Sequence, residues 1–316
     1  MAWLITGVCG QDGSYLAEQL IAAGREVIGL IHPHEDVPRY IGELVKTAKL
    51  ELAPCDLSQP ADFRHLLRRL SPDRVFHLAA ISHPLQCERA PDLSNQVNVV
   101  SVEVICDWLK RERTDARVLL PSSAAVFGQA DTSPQNEQTP ANPLGVYANQ
   151  KQQIRELAAG MREQGLFAAC PILFNHESTR RSEDFVVPKV CASAVRIAKS
   201  TQARLKLGNL DARRDWGYAP EYTVAMAWML DIPEPLELVL ATGEAHSVGE
   251  LAQLAIAEVG LDWQEHVESA PELQRAGEQA VIVGDTNLAW QELGWEADTR
   301  LPGLVKLLVE HYQQFI

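Results

Sequence analysis

A doubly wound α/β fold, with a parallel sheet and a second, smaller discontinuous domain, is what this sequence predicts, and three observations predict it. Through the first half, short apolar runs alternate with helical patterns. A glycine-rich turn joins the first run to the first helix. After about residue 175 the alternation loosens into polar, arginine-bearing segments. Strands alternating with helices require a parallel sheet covered on both faces, and right-handed crossovers wind it in both directions.

The elements follow in order. AWLITG (2–7) reads as a buried strand, and GSYLAEQLIAAG as a helix with Leu16, Leu20 and Ile21 on one face and Gly24 as its stop. REVIGLI is the second strand, LELAPCDL the third, RVFHLAA the fourth and ARVLLPSS the fifth, with ADFRHLLRRL and VNVVSVEVICDWLKRE as helices between them. A helix runs on from Lys151, and LFAACPILFN is another strand. HESTRRSEDFVVPKV and KLGNLDARRDWGYAPEY read as loops whose arginines suit ligand contact better than core. PLELVLATGEAHSVGELAQLAIAEVG reads as a last strand, a loop and an amphipathic helix. The expected division is a dinucleotide-binding domain over 1–175 with a return segment at about 211–242, and a second domain from 176–210 and 243–316.

Composition narrows the function. A chain of 316 residues that is 46% hydrophobic and 22% charged is ordinary for a globular protein. No apolar run approaches the ~18 to 20 residues of a membrane helix, and the first residues enter a strand directly, so neither a membrane segment nor a signal peptide is expected. A formal charge of −14 argues against a general nucleic-acid surface, and an anionic ligand would need a local basic pocket. The six cysteines are scattered singly, without C-x-x-C or a histidine at ligand spacing. That fits reduced cytosolic thiols, with Cys9 as a small filler of the glycine turn, and predicts no metal site.

TGVCGQDG (6–13) sets Gly7, Gly10 and Gly13 three residues apart between strand and helix, with Val8, Gln11 and Asp12 among them. Glycines there permit a tight turn and close backbone approach, while the helix N-terminus offers N–H groups to a pyrophosphate. This is the Rossmann arrangement for a nicotinamide dinucleotide. Asp56 and Leu57 after the third strand are placed to meet an adenine edge, and Leu78, Ala79 and Ala80 end the fourth strand with mostly small residues beside the dinucleotide. At the end of the second strand an acid would hold a ribose 2′-hydroxyl and an arginine a 2′-phosphate. His32, Pro33 and His34 stand there instead, with Glu35, Asp36 and Arg39 beyond, so the residues leave NAD(H) and NADP(H) both open.

Ser123, Tyr147 and Lys151 form the second constellation. YANQK places the tyrosine and lysine on one helical face, one turn apart. A phenol is a poor base at neutral pH, but a nearby ammonium and a nicotinamide cation favour the phenolate. Tyr147 can then take or return a hydroxyl proton as hydride moves, while Ser123 holds the same oxygen.

With these residues in place, the chain resembles the extended short-chain dehydrogenase/reductases, and along most of its length the GDP-mannose 4,6-dehydratase family. ITGVCGQDGSYLAEQL, HLAAISH, YANQK, ILFNHESTRR, LGNLDARRDWGYAPEY, ATGEAHSV and, more weakly, VGDTNLAWQELGW carry the likeness; FNHES and GNLDARRDWG are long and unusual. The resemblance implies that His176, Arg181 and Ser82 contact the cofactor, NADP(H) before NAD(H). It implies that Asn175, Lys189, Asn209, Arg214 and Arg275 hold the GDP part of a GDP-linked hexose and Glu278 its ribose, and that the enzyme is a homo-oligomer, dimer or tetramer. Charge-assisted arginine contacts would supply the basic pocket that an acidic protein needs for a diphosphate.

The departures bear on the chemistry. Where the family has a serine or threonine, a small residue and then glutamate, this chain reads Ser123, Ala124, Ala125. PRSPY has become PLGVY, the paired arginines after the second strand are HP, and RPAE is RAGE. A 4,6-dehydratase needs the glutamate to move protons at carbons 5 and 6, whereas reducing an existing 4-keto sugar needs only hydride, Tyr147 and Ser123. The expectation is an NAD(P)H-dependent reductase of a GDP-4-keto-6-deoxyhexose. The alternatives are a dehydratase with a non-standard acid, Glu177 or His83, and a catalytically silent paralogue that binds GDP-sugar and dinucleotide.

Overall fold

The computed structural model describes residues 2–273 and 281–316. Strand β1 (Ala2–Thr6) feeds helix α1 (Gln11–Ala22), which stops before Gly24 at φ +75°. Then come β2 (Glu26–Ile31), α2 (Arg39–Lys46), β3 (Leu50–Pro54), α3 (Pro60–Leu70) and β4 (Arg74–His77). Two short helices, α4 (Pro84–Arg89) and α5 (Pro91–Asn95), lead through a π-helical turn over Gln96–Val100 into α6 (Ser101–Arg111). The expected fifth strand is two strands, β5 (Arg117–Leu119) and β6 (Ser122–Ser123), because Pro121 between them has no N–H for a ladder. A 3₁₀ turn (Ala124–Phe127), helix α7 (Gly145–Glu163) and strand β7 (Phe167–Leu173) follow.

The second half is less regular. It runs β8 (Asn175–Glu177), α8 (Val186–Ala198), β9 (Leu205–Leu207), β10 (Arg213–Arg214), β11 (Trp216–Tyr218), α9 (Ala219–Met229) and β12 (Glu237–Leu240). It ends with β13 (His246–Ser247), α10 (Val248–Glu258), α11 (Trp263–His266), β14 (Val267–Ser269), β15 (Val281–Ile282), α12 (Asn287–Leu293) and α13 (Leu301–Phe315). The segments expected to be loops therefore contain β8 to β11 and the starts of α8 and α9. Each of these strands is two or three residues long and pairs far away in sequence: β9 with β14, β10 with β13 and β15, β11 with β8. So short a strand has no readable alternation.

The main sheet has the order β12-β7-β5-β4-β1-β2-β3, with β6 beside β7, and its recorded pairings are parallel. β1 lies between β2 and β4, so the chain leaves it toward β3 and then returns on its other side. That reversal is the switch point where doubly wound sheets bind ligands. Four of the five β1 residues and five of the six β2 residues are buried, the near-continuous apolar pattern of strands covered on both faces. Contacts divide the chain into one unit of residues 1–128, 140–173 and 223–238 and another of 129–139, 174–222 and 239–316. The first has a core containing Phe63, Val75, Trp108, Val118 and Ile154; the second packs α8, α10 and α13 around Val190, Trp216, Leu251 and Leu304.

Candidate active site

The glycine turn after β1 is built for close approach. Gly7 has φ +69°, and a Cβ on it would stand 2.8 Å from the Ala79 Cα. A Cβ on Gly13 would run into the Gly7 carbonyl and the Val8 backbone. The Gly10 N–H closes the turn on the Gly7 carbonyl at 2.9 Å, and Gly10 then serves as N-cap of α1 with no side chain to cover the first helical amides. Thr6 Oγ1 accepts from the Ala79 N–H at 3.1 Å, fixing the small-residue end of β4 against the turn. Ala79, Ala80, Asn98, Pro121 and Lys151 line one small cavity. A cradle that any Cβ would fill, at a helix N-terminus and a switch point, fits a dinucleotide pyrophosphate.

Buried polar groups hold this frame. Ser101 Oγ donates to the Val97 carbonyl at 2.6 Å, so it accepts from His77 Nε2 at 2.8 Å, and His77 Nδ1 accepts from Thr6 Oγ1 at 3.0 Å. Burial, with Lys151 nearby, pushes the His77 imidazole down to about 3, which keeps it neutral. Cys9 is buried, and burial together with Glu35 raises its thiol to about 12, so it fills space in the turn and is no nucleophile at neutral pH. All six cysteines are buried and unpaired. Asp56 accepts the Ser58 N–H at 2.8 Å beside a buried Leu57, Val8 and Gln11 are buried, and Asp12, Leu78, Ala80 and Ser82 are half-buried.

Ser123, Tyr147 and Lys151 come from β6 and α7, which are clamped together. Ser122 Oγ donates to the Lys151 carbonyl at 3.0 Å, and Lys151 Nζ donates to the Pro121 carbonyl at 2.9 Å. The Lys151 Nζ stands 5.9 Å from the centre of the Tyr147 ring, as one helical turn requires. Burial pushes its ammonium down to about 8. Ser123 caps the following 3₁₀ turn: its Oγ accepts from the Ala125 N–H at 3.3 Å, so its own hydrogen remains available for a substrate oxygen. Ala125 is half-buried.

Several supporting residues escape sequence reasoning. Asn98, in the π turn, accepts the Ile81 N–H at 2.8 Å and donates to the Ile81 carbonyl at 3.1 Å and to Gln150 Oε1 at 2.8 Å; Gln150 Nε2 donates to Ser94 Oγ at 2.8 Å. This buried network ties the end of β4 to the helix bearing Tyr147 and Lys151. The only signal for it was a glutamine at a position that α7 buries.

The second unit carries the other candidates. His176 Nδ1 donates to the Phe174 carbonyl at 2.7 Å and its ring stacks on Tyr222, centroids 4.8 Å apart. Arg181 lies 3.4 Å from the buried Glu177 carboxylate with its guanidinium over the Phe185 ring at 3.5 Å. Asn175 opens β8 and is exposed. Asn209 Oδ1 accepts the Asp211 N–H at 3.0 Å, Arg214 Nη1 donates to the Arg213 carbonyl at 2.8 Å, and Lys189 Nζ reaches the Lys206 carbonyl at 3.5 Å. Arg213 is a structural group, paired with Glu250 at 3.1 Å and donating to the Ala245 carbonyl. Asp215 holds the strand beside it, accepting from the Thr242 N–H and hydroxyl and the Gly243 and Gly284 N–H groups. Arg275 and Glu278 lie outside the described residues. Among the described residues no cluster of three or more His, Cys, Asp or Glu is placed to hold a metal, and no helix is long and apolar enough to cross a membrane.

Known proteins resemble the chain along nearly its whole length. The family described as GDP-mannose 4,6 dehydratase matches residues 4–308. GDP-mannose 4,6 dehydratase 1 of Arabidopsis thaliana is 36% identical over 319 residues, covering 97% of this chain and 88% of its own. Among solved structures, RMD from Pseudomonas aeruginosa complexed with NADPH superposes with a TM-score of 0.83 at 22% identity, covering 100% of this chain and 99% of that one. A Thermus thermophilus UDP-glucose 4-epimerase in complex with NAD does so with a TM-score of 0.85 at 21% identity, over 100% of both chains.

Proposed function

The chain belongs to the GDP-mannose 4,6-dehydratase family, and from that premise we propose that it reduces a GDP-linked 4-keto-6-deoxyhexose with a nicotinamide dinucleotide, giving a GDP-6-deoxyhexose of the rhamnose type. One observation carries the proposal: the residue two positions after Ser123 is Ala125, whose backbone N–H is bonded to Ser123 Oγ and whose side chain has neither proton nor lone pair. Dehydration needs an acid/base at carbons 5 and 6, and such a group is typically worth ~10² to 10⁴-fold in rate. Carbonyl reduction does not need it.

The groups for reduction are retained. When bound, the dinucleotide supplies hydride to carbon 4. The phenol of Tyr147 gives its proton to the oxygen on that carbon, and Ser123 donates a hydrogen bond to the same oxygen. The Lys151 ammonium stabilises the phenolate left behind. Gly7, Gly10 and Gly13 with the α1 N-terminus would hold the pyrophosphate, Asp56 and Leu57 the adenine, and Ser82, His176 and Arg181 the nicotinamide end. Asn175, Lys189, Asn209 and Arg214 would take the GDP part. The family resemblance favours NADP(H), and RMD, a structural neighbour, is complexed with NADPH. The reading includes a homodimer or homotetramer in a cytoplasmic setting.

The identity to a GDP-mannose 4,6 dehydratase favours a second reading, dehydration with an acid from elsewhere. Glu177 is buried against Arg181, and His83 is the N-cap of α4; these are its candidates. A silent GDP-sugar binder has no use for Ser123, Tyr147 and Lys151. Incubation with GDP-mannose, and separately with the GDP-4-keto-6-deoxyhexose plus NADPH or NADH, separates the readings by product. The proposal requires product from the second mixture and slow or no conversion in the first.

A further inference from the structure

Gln150 stands three residues after Tyr147 and directly before Lys151, and α7 buries it. Its hydrogen bonds have a fixed direction. Asn98 Oδ1 accepts the Ile81 N–H and Asn98 Nδ2 donates to the Ile81 carbonyl, so the Asn98 atom left to face Gln150 is a donor. Gln150 must therefore turn its Oε1 to Asn98 and its amide hydrogens to Ser94 Oγ, each at 2.8 Å. Ser94 passes its own hydrogen to the Pro91 carbonyl at 3.0 Å. Ser94 and Asn98 are buried too, so an apolar side chain at 150 would leave an Asn98 N–H without that acceptor and Ser94 without that donor.

Toward the sheet, α7 is fastened at Lys151, whose carbonyl accepts from Ser122 Oγ and whose Nζ donates to the Pro121 carbonyl. A helix fastened at one residue can still turn about its axis, and a second fastening on another side fixes the rotation. Successive residues lie about 100° apart around a helix, so Gln150 supplies that second side. On a cylinder about 6 Å in radius, a turn of about 10° carries a side-chain tip through ~1 Å. A misplacement of ~1 Å can cost about 10²-fold in rate.

We propose, resting on the reductase reading above, that Gln150 is a positioning residue: by bonding Ser94 and Asn98 it sets the rotation of α7, and with it the place of the Tyr147 phenol against the reacting carbonyl oxygen. Asn98 also holds Ile81, the residue before Ser82, so the same bond keeps the end of β4 and the phenol in register. Gln150 acts through Tyr147 and touches neither substrate nor dinucleotide, so its loss slows proton transfer and leaves binding alone.

The test is single-turnover and steady-state reduction of the GDP-4-keto-6-deoxyhexose, with NADPH binding measured on the same preparations, for wild type, Gln150→Met, Ser94→Ala and the double variant. Gln150→Met keeps the length of the side chain and loses both bonds. Its single-turnover rate should fall about tenfold while KM and the NADPH Kd stay within about twofold. Ser94→Ala should slow the step about threefold, and the double variant should be about tenfold slower and not about thirtyfold, because both changes remove one restraint. A Gln150→Met rate within about twofold of wild type, a loss carried by KM or Kd, or multiplied losses in the double variant would overturn the inference. If Gln150→Met fails to fold, Ser94→Ala decides: a slower step at unchanged Kd supports the inference and a wild-type rate overturns it. Wild-type protein that instead dehydrates GDP-mannose would overturn the reductase reading alone, and the same comparison is then made on that reaction, whose first step also moves the proton on the carbon 4 oxygen. A wild type inactive in both reactions would overturn both.

Discussion

Glu88 Oε1 accepts a 2.7 Å hydrogen bond from the backbone N–H of Val146, one residue before Tyr147. The residue at the N-cap of α7, Leu144, offers no side-chain bond of its own, and Gly145 at φ +83° brings the chain so close that a Cβ there would stand 2.7 Å from the Glu88 carboxylate. A carboxylate from α4 thus caps the helix that carries Tyr147 and Lys151, favoured by the helix dipole. The PLGVY sequence makes room for it: Val146 has an N–H that a proline at that position would lack. Glu88→Ala should lower stability by about 1 kcal/mol in urea unfolding, as loss of a cap does, and Glu88→Gln, still an acceptor, should recover most of it. Equal loss in both would show that the hydrogen bond is not the cause.

Tyr147→Phe removes only the phenolic hydroxyl. Reduction of the 4-keto sugar should slow by at least ~10²-fold with little change in NADPH or NADH affinity, because the phenol acts on the reacting oxygen and not on the cofactor phosphates. Single-turnover rates and a binding titration on the same preparation check both halves. Near-normal turnover would remove Tyr147 from the chemistry.

Lys151 gives a pH signature of its own. Burial lowers its ammonium from the ordinary 10.5 to about 8, so between those values the unfolded chain holds a proton that the folded chain has released. Stability rises with pH wherever the unfolded state binds more protons. Below about 8 both states are charged and the folded one bears the full desolvation penalty; the penalty fades as pH rises from about 8 to 10.5. The stability difference between wild type and Lys151→Met should therefore shift toward the wild type across that window, by at most about 3 kcal/mol. A pH-independent difference would show that the amine is not desolvated as its surroundings imply.

The first unit is largely legible in the sequence because its signals are local. Alternating runs mark β1 to β5, Gly24 ends α1, and the glycines at 7, 10 and 13 need no distant partner to be recognised. What could not be read is set by tertiary pairing. The π turn at Asn98 exists in a segment whose composition is that of a plain helix, and Gln150 gains its meaning only when α7 is laid beside Ser94 and Asn98. In the second unit Arg213 and Arg214 are adjacent in sequence, yet one is committed to Glu250 and the other bonds a backbone carbonyl, a difference made by pairing of β10 with β13 and β15.

That difference makes Arg214 the sharper test of the diphosphate reading. Arg214→Ala should weaken GDP binding by roughly 2 kcal/mol or more, the loss of a charge-assisted contact, with NADH and NADPH affinity nearly unchanged. Calorimetry with GDP alone checks it, since the base and diphosphate are present without the sugar. GDP binding equal to that of the wild type would move the pocket away from β10.

Ala125 decides between the two chemistries. It sits in the 3₁₀ turn directly after Ser123, half-buried, with its N–H on the Ser123 hydroxyl oxygen, so a glutamate at this position would spring from the same turn that orients the serine. Wild-type protein should reduce a GDP-4-keto-6-deoxyhexose and convert GDP-mannose to that ketone slowly or not at all. Ala125→Glu should add measurable dehydration. The gain will be small if the new carboxylate is not held to within about 0.5 Å of a productive position by its neighbours, and for that reason the wild-type result carries the weight. Efficient, stoichiometric dehydration of GDP-mannose by the unaltered chain would overturn the reductase reading and turn attention to His83 and Glu177. Glu177→Gln would then be expected to abolish the reaction only if that carboxylate can leave the guanidinium of Arg181, 3.4 Å away.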